Sequence, residues 1–151
     1  MCSSDLKCTS MPAHEAPHAP DAPRTVLVLG PTAGGKTALA VELALTMPGG
    51  GECVGADSMQ VYRGMDIGTA KPTAEERRGV PHHMIDCADP HGGPFTVADW
   101  LEGAQEAIAA IHARGKHAVV VGGTNLYVKS LVEGMRSEEH TSELQSRQYL
   151  V

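Results

Sequence analysis

Apolar residues fall in short bursts separated by longer amphipathic stretches. The first burst, TVLVL at 25–29, mixes β-branched and apolar residues with no polar alternation, as a strand covered on both faces does. After a glycine-rich gap, KTALAVELALTM at 36–47 consists of strong helix formers, and Pro48 and the glycines after it end the helix. ECVGA at 52–56 is a weaker second strand, and residues 57–72 read as a loop. Thr73 with Glu76 has the spacing of a capping box and predicts a short helix. A short strand is expected at 84–86. Thr96 with Asp99 repeats the capping-box spacing and opens a long helix at 97–114, closed by Gly115. HAVVV at 117–121 is the third firm strand, and after a turn at 122–125 another helix begins at Leu126. Strands alternating with helices predict an α/β fold, a parallel sheet with right-handed crossovers and flanking helices.

The two ends do not fit this pattern. Residues 1–23 are rich in Pro, Ala, Ser and His and read as a disordered leader. From Arg136 the chain turns polar and out of character with what precedes it. RSEEHTSELQS is read either as a disordered tail or, the favoured reading, as a stretch foreign to the gene of the kind a translated sequencing adapter gives; CSSDL at 2–6 is read the same way. The domain expected to fold is therefore 24–135.

Composition narrows the class. In 151 residues, 42% are hydrophobic and 20% charged, which suits a globular domain. No apolar run reaches the roughly 18 residues of a membrane helix, so no membrane association is expected. The four cysteines show no CxxC spacing, which makes a disulfide scaffold or zinc site a poor reading and points to a reduced, cytoplasmic setting. A formal net charge of -6 leaves no global basic footprint for nucleic acid, and one Trp, three Tyr and one Phe are too few for a base-stacking platform.

The gap between the first strand and the first helix carries the chemistry. Gly30, Pro31, Thr32, Ala33, Gly34, Gly35, Lys36 and Thr37 fit G-x-x-x-x-G-K-[ST] in the required setting, after a strand and opening a helix. Glycines let successive backbone N–H groups turn inward, and the helix N-terminus adds unpaired N–H groups and a positive dipole end. Lys36 adds a mobile charge, and the Thr37 hydroxyl can sit on Mg²⁺. This is a cradle for a di- or triphosphate, and it makes the expected fold P-loop NTPase-like.

Asp57 directly follows the second strand, and ligands of open parallel sheets sit beyond the strands' carboxyl ends. Its carboxylate can take a proton from a nucleophile or hold Mg²⁺ through water; it can equally just close a turn. The third strand ends in Gly122, Gly123 and Thr124 without an acid, which argues against routine ATP hydrolysis. Thr124 offers a hydroxyl at the same mouth, or an N-cap for the next helix. Lys71 is an anion ligand or a surface residue. His82 and His83, adjacent and so on opposite sides of a strand, make a poor metal pair. Cys53 and Cys87 are expected to be buried, and Trp100 and Leu101 to face the sheet.

The stretches GPTAGGKT, ADSMQVYRGMDIGTAKP, PHHMID and VVVGGTNLYVKSLVEG, in this order and spacing, resemble the N-terminal part of the tRNA dimethylallyltransferase (tRNA isopentenyltransferase) family. The resemblance runs over about 25–135, well under half of a typical member, so it implies a truncated domain. It implies transfer of a dimethylallyl group from dimethylallyl diphosphate to N6 of an adenine next to the tRNA anticodon, with no ATP consumed. It further implies that residues 32–37 hold the diphosphate, that Mg²⁺ with Thr37 as ligand neutralises it, and that Asp57 is the general base. Thr124 would lie near the tRNA, and Asp57, Ser58, Met59 and Gln60 would contact a flipped-out base. A monomer is expected. Gly34 stands where many members carry serine, and Asn125 where glycine is frequent. A small-molecule kinase on the same loop, or a chain that only binds diphosphate, are the alternatives.

Overall fold

The computed structural model describes residues 22–31, 33–138 and 149–150. The chain runs β1 (Thr25–Leu29), α1 (Lys36–Thr46), β2 (Gly51–Ala56), α2 (Ala74–Arg77), β3 (His82–His83), α3 (Val97–Ala113), β4 (His117–Gly122), α4 (Asn125–Glu138) and β5 (Tyr149–Leu150). The sheet order is β3-β2-β4-β1-β5, and every pairing is parallel. β4 thus lies between β1 and β2. Its register pairs Leu29 with Gly122 on one side and Ala56 with Gly122 on the other, so three strands end level with one another.

Neighbouring strand residues point to opposite faces, and each face is covered. Leu27, Val54, Val120 and Ala118 pack under Trp100, Ala104, Ile108 and Ile111 of α3 and Tyr127, Val128 and Leu131 of α4. Val28, Cys53 and Val119 pack on the other side against Ala40, Val41 and Ala44 of α1. Two-sided burial explains why the strands read as unbroken apolar runs. Trp100, fully buried, stacks on Tyr127 with ring centroids 4.6 Å apart, and its Nε1 donates to the Gly55 carbonyl at 2.9 Å. That bond fixes the end of β2 two residues before Asp57.

Both capping boxes form. Thr73 and Glu76 bond reciprocally at the start of α2, and Thr96 and Asp99 do so at the start of α3. The short strand lies at His82–His83 rather than at 84–86, because Cys53 and Val54 pair with those two histidines and positive φ at Met84 and Asp86 takes the chain out of strand geometry. Cys53 is buried as expected; Cys87 is not, since it lies on the exposed connection after β3. Arg78 pairs with Glu42 across to α1 at 2.6 Å. Residues 1–21 of the expected leader and residues 139–148 and 151 of the expected tail lie outside the described residues, whereas 136–138 continue α4 and 149–150 add the strand beside β1.

One polar cluster is built into the opposite end of the sheet. The Glu52 side chain, 5% exposed, accepts from Arg114 Nη2 and His83 Nε2, each at 2.7 Å, and Lys116 Nζ lies at 3.3 Å. Burial by itself would raise its pKa, but the hydrogen bonds from Arg114, then His83 and Lys116, outweigh burial and bring the carboxyl to about 2. A carboxyl held below its unfolded value stabilises the fold above about pH 4.5, and that contribution is lost as pH falls toward 2. We expect urea denaturation between pH 5 and 2 to show this loss, and Glu52→Gln to flatten that part of the profile. The substitution should cost about 1–2 kcal/mol at neutral pH, held down because Arg114 and Lys116 are themselves partly solvated.

Candidate functional site

The level ends of β1, β2 and β4 define one edge of the sheet, and a cavity of about 490 Å³ opens there. It is lined by Ala33, Gly34, Gly35, Lys36 and Thr37 from the first connection, Asp57, Met59 and Gln60 from the second, and Gly122 and Gly123 from the third. Gly30 and Pro31 are not among the lining residues, and Thr32 lies outside the described residues.

The glycine loop is shaped differently from the sequence expectation in one respect. Among its described residues the left-handed positions are Ala33 (φ 62°) and Gly35 (φ 73°). Gly34 matters instead for close approach: its N–H donates to the Pro31 carbonyl at 3.2 Å, and a Cβ there would lie 3.0 Å from that oxygen. Gly35 is the residue before α1, which opens with neither a side-chain cap nor an acidic residue in its first turn, in contrast to α2 and α3. Its first N–H groups and dipole end therefore face the cavity without an internal competitor for an anion. Lys36 Nζ donates to the Pro31 carbonyl, so the charge is held over the loop. Thr37 lines the same cavity.

Asp57 closes a turn and faces the cavity at once. Its Oδ1 accepts from the N–H of Met59 at 2.8 Å and of Gln60 at 3.3 Å, while Oδ2 makes no hydrogen bond among the described residues. One oxygen thus fixes the side chain in its turn. Thr124 does not line the cavity, nor does Ser58; the two are joined behind it, Thr124 Oγ1 accepting from the Ser58 N–H at 3.1 Å. The Thr124 N–H donates to Ala56 O at 3.2 Å, and its carbonyl accepts from Val128, the first turn of α4. Its hydroxyl thus ties β4's exit to β2's exit rather than capping α4. Gln60 spends both amide N–H groups on the carbonyls of Thr69 (3.0 Å) and Ala70 (3.1 Å).

His82, which the sequence offered only as half of a poor metal pair, belongs to the cavity wall. It lines the cavity, and its Nδ1–H donates to the Val80 carbonyl at 2.8 Å, which leaves Nε2 as an acceptor. That Nε2 is the one buried side-chain polar atom without a partner among the described residues. Burial pushes its pKa down, and the charges of Arg77 and His83 push the same way, so the ring is neutral near pH 7. The alternation rule that split His82 from His83 carried the signal, since one side of that split is the cavity side. Among the described residues no group of three or more His, Cys, Asp or Glu is placed to hold a metal ion, and no helix is long and apolar enough to cross a membrane.

A parallel sheet with helices on both faces and a phosphate-loop motif at the carboxyl end of its first strand defines a P-loop NTPase-like α/β protein. Within that class the comparisons are specific. The IPP transferase family model matches residues 60–150. The chain is 61% identical over 112 residues to the tRNA dimethylallyltransferase of Geobacter metallireducens, covering 74% of this chain and 35% of that protein. It is 59% identical over 111 residues to that of Thermomicrobium roseum, covering 74% and 33%. Among solved structures it superposes on the tRNA isopentenylpyrophosphate transferase of Bacillus halodurans with a TM-score of 0.68 at 48% identity, covering 82% of this chain and 38% of that one. It matches a eukaryotic dimethylallyltransferase acting on tRNA with a TM-score of 0.68 at 36% identity, covering 72% and 26%. The chain belongs to the IPP transferase family. It spans about a third of the length of the curated relatives it matches.

Proposed function

We propose that this chain carries the diphosphate-binding and acid–base part of an enzyme that moves a dimethylallyl group from dimethylallyl diphosphate to N6 of an adenine beside the tRNA anticodon. The observation that carries the reading is the single cavity shared by the 33–37 loop and Asp57. Amides of that loop, the α1 dipole and Lys36 hold the diphosphate as it departs, stabilising charge that grows in the transition state. Asp57 Oδ2 takes the amine proton as the C–N bond forms. The donor set fits a phosphate-bound Mg²⁺: this ion keeps waters and needs one or two protein oxygens, here the Thr37 hydroxyl, and what it supplies is neutralisation of the leaving group. Met59, 46% exposed, offers the flipped base or the prenyl chain an apolar surface, while Gln60 shapes the wall through Thr69 and Ala70. Thr124, accepting from the Ser58 N–H behind the cavity, holds the turn that carries Asp57 against the end of β4. The same reading has the protein act as a monomer in the cytoplasm.

Calorimetric titration of the chain with dimethylallyl diphosphate, ATP and a nonhydrolysable analogue of each, with Mg²⁺, tests this. Binding of the prenyl diphosphate in preference to ATP is expected. Tight ATP binding without prenyl-diphosphate binding would instead make the protein a kinase on the same loop, and no binding of either would leave it an inert fragment.

A further inference from the structure

We propose that Lys71 is a positioning residue: it latches residues 65–72 in place as one wall of the cavity and makes no contact with the anion itself. Gly68, Thr69, Ala70 and Pro72 line the cavity, yet this segment belongs to no helix or strand. Ala70 is held at φ 50°, a left-handed conformation that a residue with a Cβ keeps only when its surroundings impose it. Two side chains impose it from either side. Gln60 donates to the carbonyls of Thr69 and Ala70. Lys71 Nζ donates to the Tyr62 carbonyl at 2.6 Å, to Asp66 Oδ1 at 2.9 Å and to Asp86 Oδ1 at 2.5 Å.

An ammonium group has three N–H bonds, and all three are spent. The Lys71 side chain is 6% exposed, while Asp66 and Asp86 remain 70% and 44% exposed. A phosphate could reach Nζ only by breaking one of these bonds. Nor does the cluster attract an anion, since two carboxylates more than cancel one ammonium. Burial works to lower the Lys71 pKa, but the bonds to Asp86 and then Asp66 outweigh it and raise it, so the latch stays charged. The three partners come from separate places: Tyr62 before the segment, Asp66 within it and Asp86 after β3. Lys71 therefore ties the wall to the body of the domain.

The effect on ligand affinity rests on the proposed function, so the experiment has a second readout that does not. Lys71→Met, Lys71→Arg and the double variant Asp66→Asn/Asp86→Asn are prepared in the full 151-residue chain. Amide hydrogen exchange is followed alongside calorimetric titration with inorganic pyrophosphate and Mg²⁺. The latch predicts exchange at 65–72 faster by about tenfold in Lys71→Met and in the Asp double variant, with β1, β2 and β4 still protected. It also predicts pyrophosphate binding weaker by about fivefold in both, with partial recovery in Lys71→Arg. The double variant is decisive because it removes two negative charges near an anion site. Tighter pyrophosphate binding in it, or unchanged exchange at 65–72 in Lys71→Met, would overturn the latch. If wild type fails to bind pyrophosphate, the functional reading falls, and the exchange rates still decide the latch.

Discussion

Asp57→Asn in a full-length relative carrying this site should leave diphosphate binding unchanged and slow prenyl transfer by about 10²–10⁴-fold. Asparagine is the informative replacement because the two oxygens of Asp57 do different things. Oδ1 accepts from Met59 and Gln60, and an amide oxygen in the same place keeps both bonds. Oδ2 becomes an NH₂ that cannot take a proton. The turn survives while the base is removed. An exocyclic adenine amine is a weak nucleophile, so losing the proton acceptor falls on the transfer step rather than on substrate binding. Single-turnover transfer with saturating dimethylallyl diphosphate, paired with calorimetry, separates the two. Transfer at the wild-type rate would show that Asp57 only closes its turn.

The largest stability effect should come from one methyl group at the rim of the same cavity. A Cβ added at Gly122 would lie 2.1 Å from the Ala56 carbonyl oxygen and 2.4 Å from its carbon. These are backbone atoms of a packed neighbouring strand and cannot swing aside. Gly122→Ala must push β2 and β4 apart at their ends, where Thr124 N–H reaches Ala56 O and Thr124 Oγ1 receives the Ser58 N–H. We expect a loss of about 3 kcal/mol, seen as a fall in Tm of about 10 °C. Gly123→Ala is the paired control: its Cβ would meet Gly30 O at 3.5 Å, an ordinary contact, and should cost about 0.5 kcal/mol. Equal melting of the two variants would show that the strand ends do not meet as described.

Much of this arrangement was legible in the chain. β1, α1 and both capping boxes follow from local preferences, and the phosphate loop follows from local spacing, because each is decided within a few residues. What was not legible depends on distant partners. β3 is two residues long, too short for any periodicity, and exists only because β2 pairs with it. That the Lys71 ammonium is taken up by Tyr62, Asp66 and Asp86 depends on a fold-back from fifteen positions later that local sequence does not show. The exposure of Cys87 and the cavity-facing role of His82 likewise depend on where the connection after β3 runs. Even inside the phosphate loop, motif spacing named the glycines but not which residues take the left-handed turns; that falls to Ala33 as well as Gly35.

The placement of β4 has a consequence for biosynthesis. β1 and β2 never bond to each other; both bond to β4, which is made more than sixty residues after β2. A nascent chain leaving the ribosome therefore carries residues 33–37 and Asp57 long before it can bring them to one cavity. Until His117–Gly122 slides between the two earlier strands, their inner edges stay open to water and to wrong partners, the interval in which a chaperone would be needed most.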